Sequence, residues 1–472
     1  MVEYESYQAT PYRWLPQVPK HWIEKTIRQI TFVQSERCGN RKLELLSVYR
    51  EYGVIPKSSR DDNHNKESLD LSNYKVVHVG DLVLNKMKMW QGSLGVSRYE
   101  GIVSPAYIIC KVLDDDINLD YLHLLLRSAR FKSYYNQYSY GIRVGQWDMH
   151  YDDFKNLKIY IPPRAEQDQI VRFLDWKVSE INKLIGIRRK EIQGLEELKA
   201  RVIDKAVIHG LRGSSETHND DIRWDIDYPS TWEIERLRNL FTFRKGLSIT
   251  KANLEPTGIP VISYGQVHSK KNSMVGLNDE LFKFVNPSYL QTYPLALVQK
   301  GDFIFADTSE DLEGSGNCAY IDRDGKIFAG YHSVIAHPKG STNNKYFAYL
   351  FKSPTWRYQI RKKVNAVKVY SITQQILKDV FLLVPSQKEQ QEIMRYLDSV
   401  CAKIDSLIES THKKIMELTE MKSVIISDVV TGKIDVRNVT VPEYKHVDDI
   451  AADDSEDDEE SEENETEMDE EV

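Results

Sequence analysis

The sequence is written twice. Pro162-Pro163-Arg164-Ala165-Glu166-Gln167 returns as Pro385-Ser386-Gln387-Lys388-Glu389-Gln390, and the offset of 223 holds through Val202/Ile425. A repeat this long is a duplicated domain, since solenoid units have periods of about 20–50 residues. Three further landmarks precede it, in the same order in both halves. Pro-x-x-Trp stands at Pro19 to Trp22 and Pro229 to Trp232. Gly80-Asp81-Leu82-Val83-Leu84 is matched by Gly301-Asp302-Phe303-Ile304-Phe305. An apolar run ends in a basic-Ser pair at Arg127-Ser128 and at Lys352-Ser353. The offsets pass through 210, 221 and 225 before settling, so the halves differ by insertions early and agree in their last third. Two similar halves give the chain pseudo-twofold symmetry, as expected of something that reads two sites at once.

The last third of each half reads as a long helix. Ser386 to Glu389 is a capping-box pattern, and Pro163 suits a first helical turn. Apolar residues then recur at spacings of three and four: Ile170, Leu174, Val178, Ile181, Leu184, Leu195, Leu198 and Val202, and Ile393, Leu397, Ile404, Leu407, Ile415, Leu418, Met421, Ile425 and Val429. Gly210 and Gly432 are suitable stops. Helices of about 40 residues span roughly 60 Å and cannot bury such a seam alone, so the spacing predicts an antiparallel, coiled-coil-like pair. The first two-thirds of each half read as β-rich. Val76 to Val79 and Leu295 to Val298 read as strands before Gly-Asp turns, and Leu122 to Tyr135 and Tyr346 to Lys362 as helices. Arg212 to Trp224 has linker composition.

The net charge of −8 conceals an uneven distribution. Asp448 to Val472 hold 16 Asp/Glu and no Lys/Arg, which leaves 63 basic against 55 acidic residues in the other 447. A mildly basic body with an acidic tail is thus expected. The tail, nearly devoid of apolar residues, is expected to stay disordered, either as a solubilising segment or as a competitor of nucleic acid for the basic body. No apolar run reaches the ~18 residues of a membrane span, and no signal peptide is visible. Cys38, Cys110, Cys318 and Cys401 are isolated, which fits a reducing cytoplasm and disfavours a disulfide framework or structural zinc.

Enzyme signatures are sparse. No Walker A phosphate loop occurs, and Thr431-Gly432-Lys433 is a helix end. The twelve His form no His-x-x-x-His pair with an acidic ligand. Asn286-Pro287-Ser288-Tyr289 echoes the Asn-Pro-Pro-Tyr loop of adenine methyltransferases but differs at its third position, and a proline turn is the plainer reading. Asp322 to Gly325 has turn chemistry without calcium-loop spacing. What remains are stretches of the residue types that contact nucleic acid, because phosphates need Lys and Arg while base edges need Arg, Lys, Asn or Gln. In the first half this is Lys86, Lys88 and Gln91 after the Gly-Asp strand, then Tyr140, Arg143 and Gln146. In the second it is Arg361, Lys362, Lys363, Asn365, Lys368 and Tyr370, with Gln266, Lys270 and Lys271. The stretches at 138–147 and 361–370 both stand just before the strand leading into a long helix. For any single lysine the alternative is a solvated surface role.

The order of landmarks over residues 12 to 435 resembles the specificity subunit of type I restriction-modification enzymes. The resemblance implies an α+β fold, with two pseudo-twofold-related, β-rich target recognition domains separated by an antiparallel pair of long coiled-coil-like helices. Their expected bounds are 12–162 and 229–385, the helices being 163–211 and 386–433, with a linker at 212–228 and the acidic tail at 440–472. Each recognition domain would read one half of a bipartite, asymmetric sequence in double-stranded DNA, and the helices would set the gap. The subunit would hold no catalytic centre, metal or cofactor. It would dock two adenine methyltransferase subunits and, through them, restriction/translocase subunits in the cytoplasm, away from membranes. S-adenosylmethionine, ATP and Mg2+ would belong to those partners. The acidic tail is outside the family pattern. The rival reading is a self-contained DNA methyltransferase or endonuclease with an unrecognised site; a coiled-coil scaffold would leave the basic body unexplained.

Overall fold

In a computed structural model, all residues are described except 1, 51, 60–69, 141–146, 214–215, 221–223, 341–342, 366–368 and 449–472. Arg143, Gln146, Lys368 and residues 449–472 of the acidic tail therefore lie outside the described residues. The first residues of the expected tail are instead docked, with Ser179 Oγ donating to Lys445 O (3.2 Å) and Asn182 Nδ2 to Val447 O (3.2 Å). The chain divides into two units, Met1–Arg189 with His412–Val472, and Lys190–Thr411.

The first unit opens with an antiparallel hairpin, Tyr7–Tyr12 with Leu15–Pro19, that delivers the buried Trp22. Ile23–Thr26 then pairs with Lys158–Ile161, the strand that runs into the first long helix. The central sheet is antiparallel, in the order Thr31–Gln34, Ile108–Val112, Leu82–Leu84, Leu94–Val96. The second unit repeats this plan. Its hairpin is Thr217–Asp220 with Trp224–Pro229, and Glu233–Arg236 pairs with Phe381–Val384 before the second long helix. Its central sheet runs Phe241–Lys245, Ser333–Pro338, Phe303–Ala306, Cys318–Tyr320. It adds a mixed sheet, Lys283–Val285, Ile259–Ile262, Ile327–Ala329, Leu297–Val298.

Three local readings differ from expectation. The segment predicted as linker holds the second hairpin, in the same register as the first: Tyr7 faces Pro19 and Thr217 faces Pro229. Each expected single helix is two, Leu119–Arg127 with Ala129–Tyr138, and Asn344–Lys352 with Pro354–Arg361. The break falls on the serine of each basic-Ser pair, whose backbone is extended. Ser353 Oγ caps the next helix at Trp356 N (3.2 Å), and Pro354 at its first turn forbids continuation. Finally, the expected strands before the Gly-Asp turns are shorter: Leu295 and Ala296 belong to a 3-10 turn and the strand holds only Leu297–Val298, while His78 and Val79 lie beyond the strand Lys75–Val77.

The long helices are Arg164–His209 and Gln387–Val430. They pack antiparallel: Lys422 Nζ reaches Asn182 Oδ1 (3.5 Å) in the first unit, while Lys199 meets Asp405 and Arg212 meets Glu392 in the second. The buried seam includes Ile170, Leu174, Ile181 and Ile185 in the first unit, and Ile192, Ile203, Ile393, Leu397 and Ile404 in the second. Leu184, Leu198, Leu407 and Met421, predicted for the seam, are instead exposed. A partner helix covers only a narrow stripe, so the outer edge of a broader apolar face stays uncovered.

The repeated landmarks prove to be joints. Gln167 Nε2 donates to Pro162 O, and Gln390 Nε2 to Pro385 O, both at 2.9 Å. These bonds lock each strand-to-helix turn. Glu166 is buried and accepts Trp22 Nε1 (3.0 Å) and Tyr4 OH (2.8 Å), with His21 Nε2 at 2.7 Å. Trp232 Nε1 has no such partner among the described residues. Tyr121 OH donates to Val430 O (3.1 Å), and its repeat Tyr346 OH lies 3.4 Å from Val207 O and 3.2 Å from Leu383 O. In each unit, then, a buried tyrosine ties the module to the last turn of the long helix that arrives from elsewhere in the sequence. Desolvation drives both phenols far above their ordinary pKa, so they stay neutral donors.

Candidate nucleic-acid interface

Both candidate surfaces start from a buried carboxylate. Asp81 Oδ2 accepts His78 N (2.8 Å) and Gln34 Nε2 (2.6 Å). Burial lifts its pKa, while the bonds from His78 and Gln34 oppose the lift. Asp302 accepts Gln299 N (2.9 Å) and lies 2.6 Å from His337 Nδ1. Each aspartate bonds the backbone three residues before it, closing the turn that launches Leu82–Leu84 or Phe303–Ala306. The loop after that strand is fixed in both units by an equivalent bond: Met149 N donates to Lys86 O (3.1 Å), and Ile372 N to Asp307 O (2.8 Å). Segments some 60 residues apart in sequence therefore meet at the same place in each unit.

In the first unit this unites the two predicted stretches. Lys86 Nζ lies 3.4 Å from Asp148 Oδ2, and the Trp90 and Trp147 rings meet edge to face at 5.3 Å. Tyr140 stacks on His150 (4.9 Å) and is 57% exposed. Lys88 and Gln91 stand on the turn around Met89–Gln91, with Gln91 N bonded to Lys88 O at 3.1 Å.

In the second unit, Thr308–Ser309 pairs with Tyr370–Ser371, which places Tyr370 on the same loop. Arg361 is drawn inward: its Nη2 bonds both Glu313 O and Glu313 Oε2 at 2.7 Å. Lys362 sits over the Tyr358 ring (4.7 Å); Lys363 and Asn365 are exposed. Gln266 completes a capping box by accepting Ser263 N (3.1 Å). Lys270 is exposed, and Lys271 pairs with Glu280 (3.1 Å).

A cluster without a sequence counterpart packs against this loop, from the helix Tyr264–His268 and the turn before Ser333–Pro338. Tyr264 packs edge to face with Tyr331 (5.7 Å), His332 (5.5 Å) and His268 (6.3 Å). His268 Nε2 lies 2.8 Å from Thr308 O, and His332 Nδ1 3.3 Å from Asp307 Oδ1. His332 is exposed and holds φ +50, a strained value for a non-glycine residue of the kind that clusters at functional sites. Its only sequence signal was a Tyr-His pair after Gly330.

The two loops also differ in charge. The first loop carries Lys86 and Lys88, and the second carries Asp307, Glu310, Asp311 and Glu313. Lysines suit phosphates and guanine, whereas carboxylates accept from the cytosine amino group. The methyltransferase echo has ordinary turn chemistry, with Asn286 Oδ1 accepting Ser288 N (3.0 Å). Among the described residues no cluster of His, Cys, Asp or Glu could hold a metal ion, and no helix is long and apolar enough to cross a membrane.

Comparison with known proteins accords with this geometry. Residues 19–194 and 229–420 match the type I restriction modification DNA specificity domain. The type I restriction enzyme MjaVIII specificity subunit of Methanocaldococcus jannaschii is 23% identical over 429 residues, covering 89% of this chain and 95% of its own. The putative MjaX specificity subunit of the same organism is 24% identical, over 78% of this chain and 81% of its own. A chain solved in work on assembly and conformational transition of the type I R-M system shares the fold, with a TM-score of 0.59 at 15% identity, covering 90% of this chain and all of that one.

Proposed function

Because this chain belongs to the type I restriction-modification DNA specificity family, we propose that each unit reads one half of a bipartite, asymmetric DNA sequence. In this reading the helix pair docks two adenine methyltransferase subunits and, through them, the restriction/translocase subunits, in the cytoplasm. A specificity subunit directs chemistry performed elsewhere, so S-adenosylmethionine, ATP and Mg2+ belong to the partners. The observation that carries the reading is the matched pair of loops, fixed by equivalent bonds at Lys86 and Asp307 but opposite in charge. One scaffold presenting two different chemistries is what an asymmetric target demands.

Lys86, Lys88, Lys270, Lys271, Lys362, Lys363 and Lys368 serve the phosphates in this proposal. Gln91, Tyr140, Arg143, Gln146, Asn365 and Tyr370 are assigned to base contacts. Gln266 offers its amide nitrogen while its oxygen caps a turn, and Arg361 contributes mainly by ordering the Glu313 loop. Partner docking is supported by apolar side chains left open on the helices, among them Ile187, Met416 and Val424 in the first unit.

Genome-wide mapping of methylated adenines, with and without this gene, tests the reading. A bipartite motif should vanish with the gene. Lys86→Ala/Lys88→Ala should relax one half of that motif, and Lys362→Ala/Lys363→Ala the other. Equal damage to both halves by either variant refutes the assignment of one unit to one half-site.

A further inference from the structure

A cavity of about 180 Å3 lies in the second unit beside Lys352. Lys352 is the basic member of the repeated basic-Ser pair, and the repeat supplies its own comparison. In the first unit the corresponding Arg127 spends its guanidinium on backbone carbonyls: Leu94 O at 2.6 Å, Arg50 O at 2.7 Å and Tyr49 O at 3.5 Å. In the second, Lys352 Nζ donates to Ser273 O (2.9 Å) and forms no ion pair among the described residues. An ammonium has three donors, so two remain without a described protein acceptor.

The neighbouring charges are already matched. Lys199 pairs with Asp405. Lys345 pairs with Asp398 at 2.7 Å, and Asp398 also accepts Tyr349 OH at 2.6 Å. The cavity wall thus holds three lysines and two aspartates, with one surplus positive charge, at Lys352. Burial, seconded by Lys199, lowers the pKa of the half-buried Lys352 to about 8, and Asp405 opposes that shift. The volume is several times the ~30 Å3 that a water occupies in the liquid, so there is room for a small polyatomic ion.

We propose that this cavity binds one small, singly charged oxyanion, a phosphate or a carboxylate, held by Lys352 with Lys199 and Lys345 in the wall. Asp405 and Asp398 cancel two of the three positive charges, so a monoanion is matched and a dianion is not. Dihydrogen phosphate and a carboxylate share that chemistry; the second could arrive as an acidic side chain of a docked protein.

The test uses the full chain in buffer free of oxyanions, at pH 6.5. Inorganic phosphate and acetate are each titrated calorimetrically into the wild type and Lys352→Met. At least one should bind saturably at one site in the wild type and about tenfold or more weakly in the variant, as loss of a charge-assisted bond predicts. Binding of phosphate alone identifies a free tetrahedral anion as the ligand; binding of acetate supports the carboxylate. Saturable binding of neither, or binding unchanged in Lys352→Met, overturns the proposal. A second measurement needs no variant: carbamoylation of Lys352 by cyanate, read by peptide mass spectrometry. Saturating anion should slow it severalfold relative to exposed lysines such as Lys363, and an unchanged rate would also overturn the proposal.

Discussion

The two long helices end alike, and that likeness makes a controlled experiment. Gly210 and Gly432 both hold left-handed backbone, at φ +72 and +74, just past the last helical residues. Alanine in that conformation costs about 1–2 kcal/mol at either site. The surroundings differ. A Cβ on Gly210 would stand 3.3 Å from Trp232 Cζ2 and 3.4 Å from Glu389 Oε1, side-chain atoms that can yield slightly. A Cβ on Gly432 would stand 2.3 Å from Pro19 Cδ, 2.6 Å from Pro19 Cγ and 3.0 Å from Trp22 Cη2. That proline ring is pinned in the Pro-x-x-Trp turn, where Trp22 N donates to Pro19 O at 3.0 Å. Overpacking of this kind adds about 1–3 kcal/mol. Gly210→Ala should therefore cost about 1–2 kcal/mol and Gly432→Ala about 2–5 kcal/mol. Two units need not unfold together, so a local probe is required. Native-state hydrogen exchange at Trp22 N and Trp232 N supplies one in each unit. The expected result is a larger loss of protection at Trp22 in Gly432→Ala than at Trp232 in Gly210→Ala. Equal losses, or a milder effect at Gly432, would refute the packing argument.

Three further outcomes are expected. Burial, aided by Arg127 and Arg98, lowers the His123 pKa to about 3, below its ordinary 6.5. The unfolded chain then binds more protons between these values, so stability falls as pH drops from about 6.5 toward 3. His123→Gln, which keeps an acceptor for Val96 N, should flatten that slope in urea midpoints between pH 7 and 4, and parallel curves would refute this. Duplex binding should weaken with log K linear in log[salt], and a salt-independent affinity would exclude a phosphate-gripping body. If the helix pair sets the gap between half-sites, a matched four-residue insertion near Gly194 and Glu417 adds about 6 Å and nearly preserves the seam. Adenine mapping should then show the unread spacer longer by about one or two base pairs at ~3.4 Å each, and an unchanged spacer in an active variant would reject the ruler.

The repeat exposed much of this fold because its landmarks are structural joints. Gln167 and Gln390 recur because each locks a strand-to-helix turn, and Asp81 and Asp302 because each closes the turn before a sheet strand. The second hairpin was hidden by polar composition, although Arg13-Trp14 and Arg223-Trp224 recur at the Pro-x-x-Trp offset. The outward side of Leu407 and Met421 was illegible because periodicity gives a helix face and not the width its partner covers. At the candidate interface, the meeting of Trp90 with Trp147 and the capture of Arg361 by Glu313 depend on tertiary approach. Composition and spacing carry no record of either. The Gln266 cap could have been read, since Ser263-x-x-Gln266 is a capping-box pattern.

The chain order of the two units carries a consequence for biogenesis. The second unit is continuous, Lys190–Thr411, whereas the first is closed by His412–Val472. Val429, Val430 and Val436 are fully buried in the first unit's core. On the ribosome, the module that emerges first must wait while the whole of the second is made, a delay of roughly 10–45 s at about 5–20 residues per second. During that interval the second can complete its core from its own residues, while the groove meant for Val429 and Val430 stays open to water. The first-made module thus finishes last, and a chain released early would carry a whole second unit and an unsealed first one.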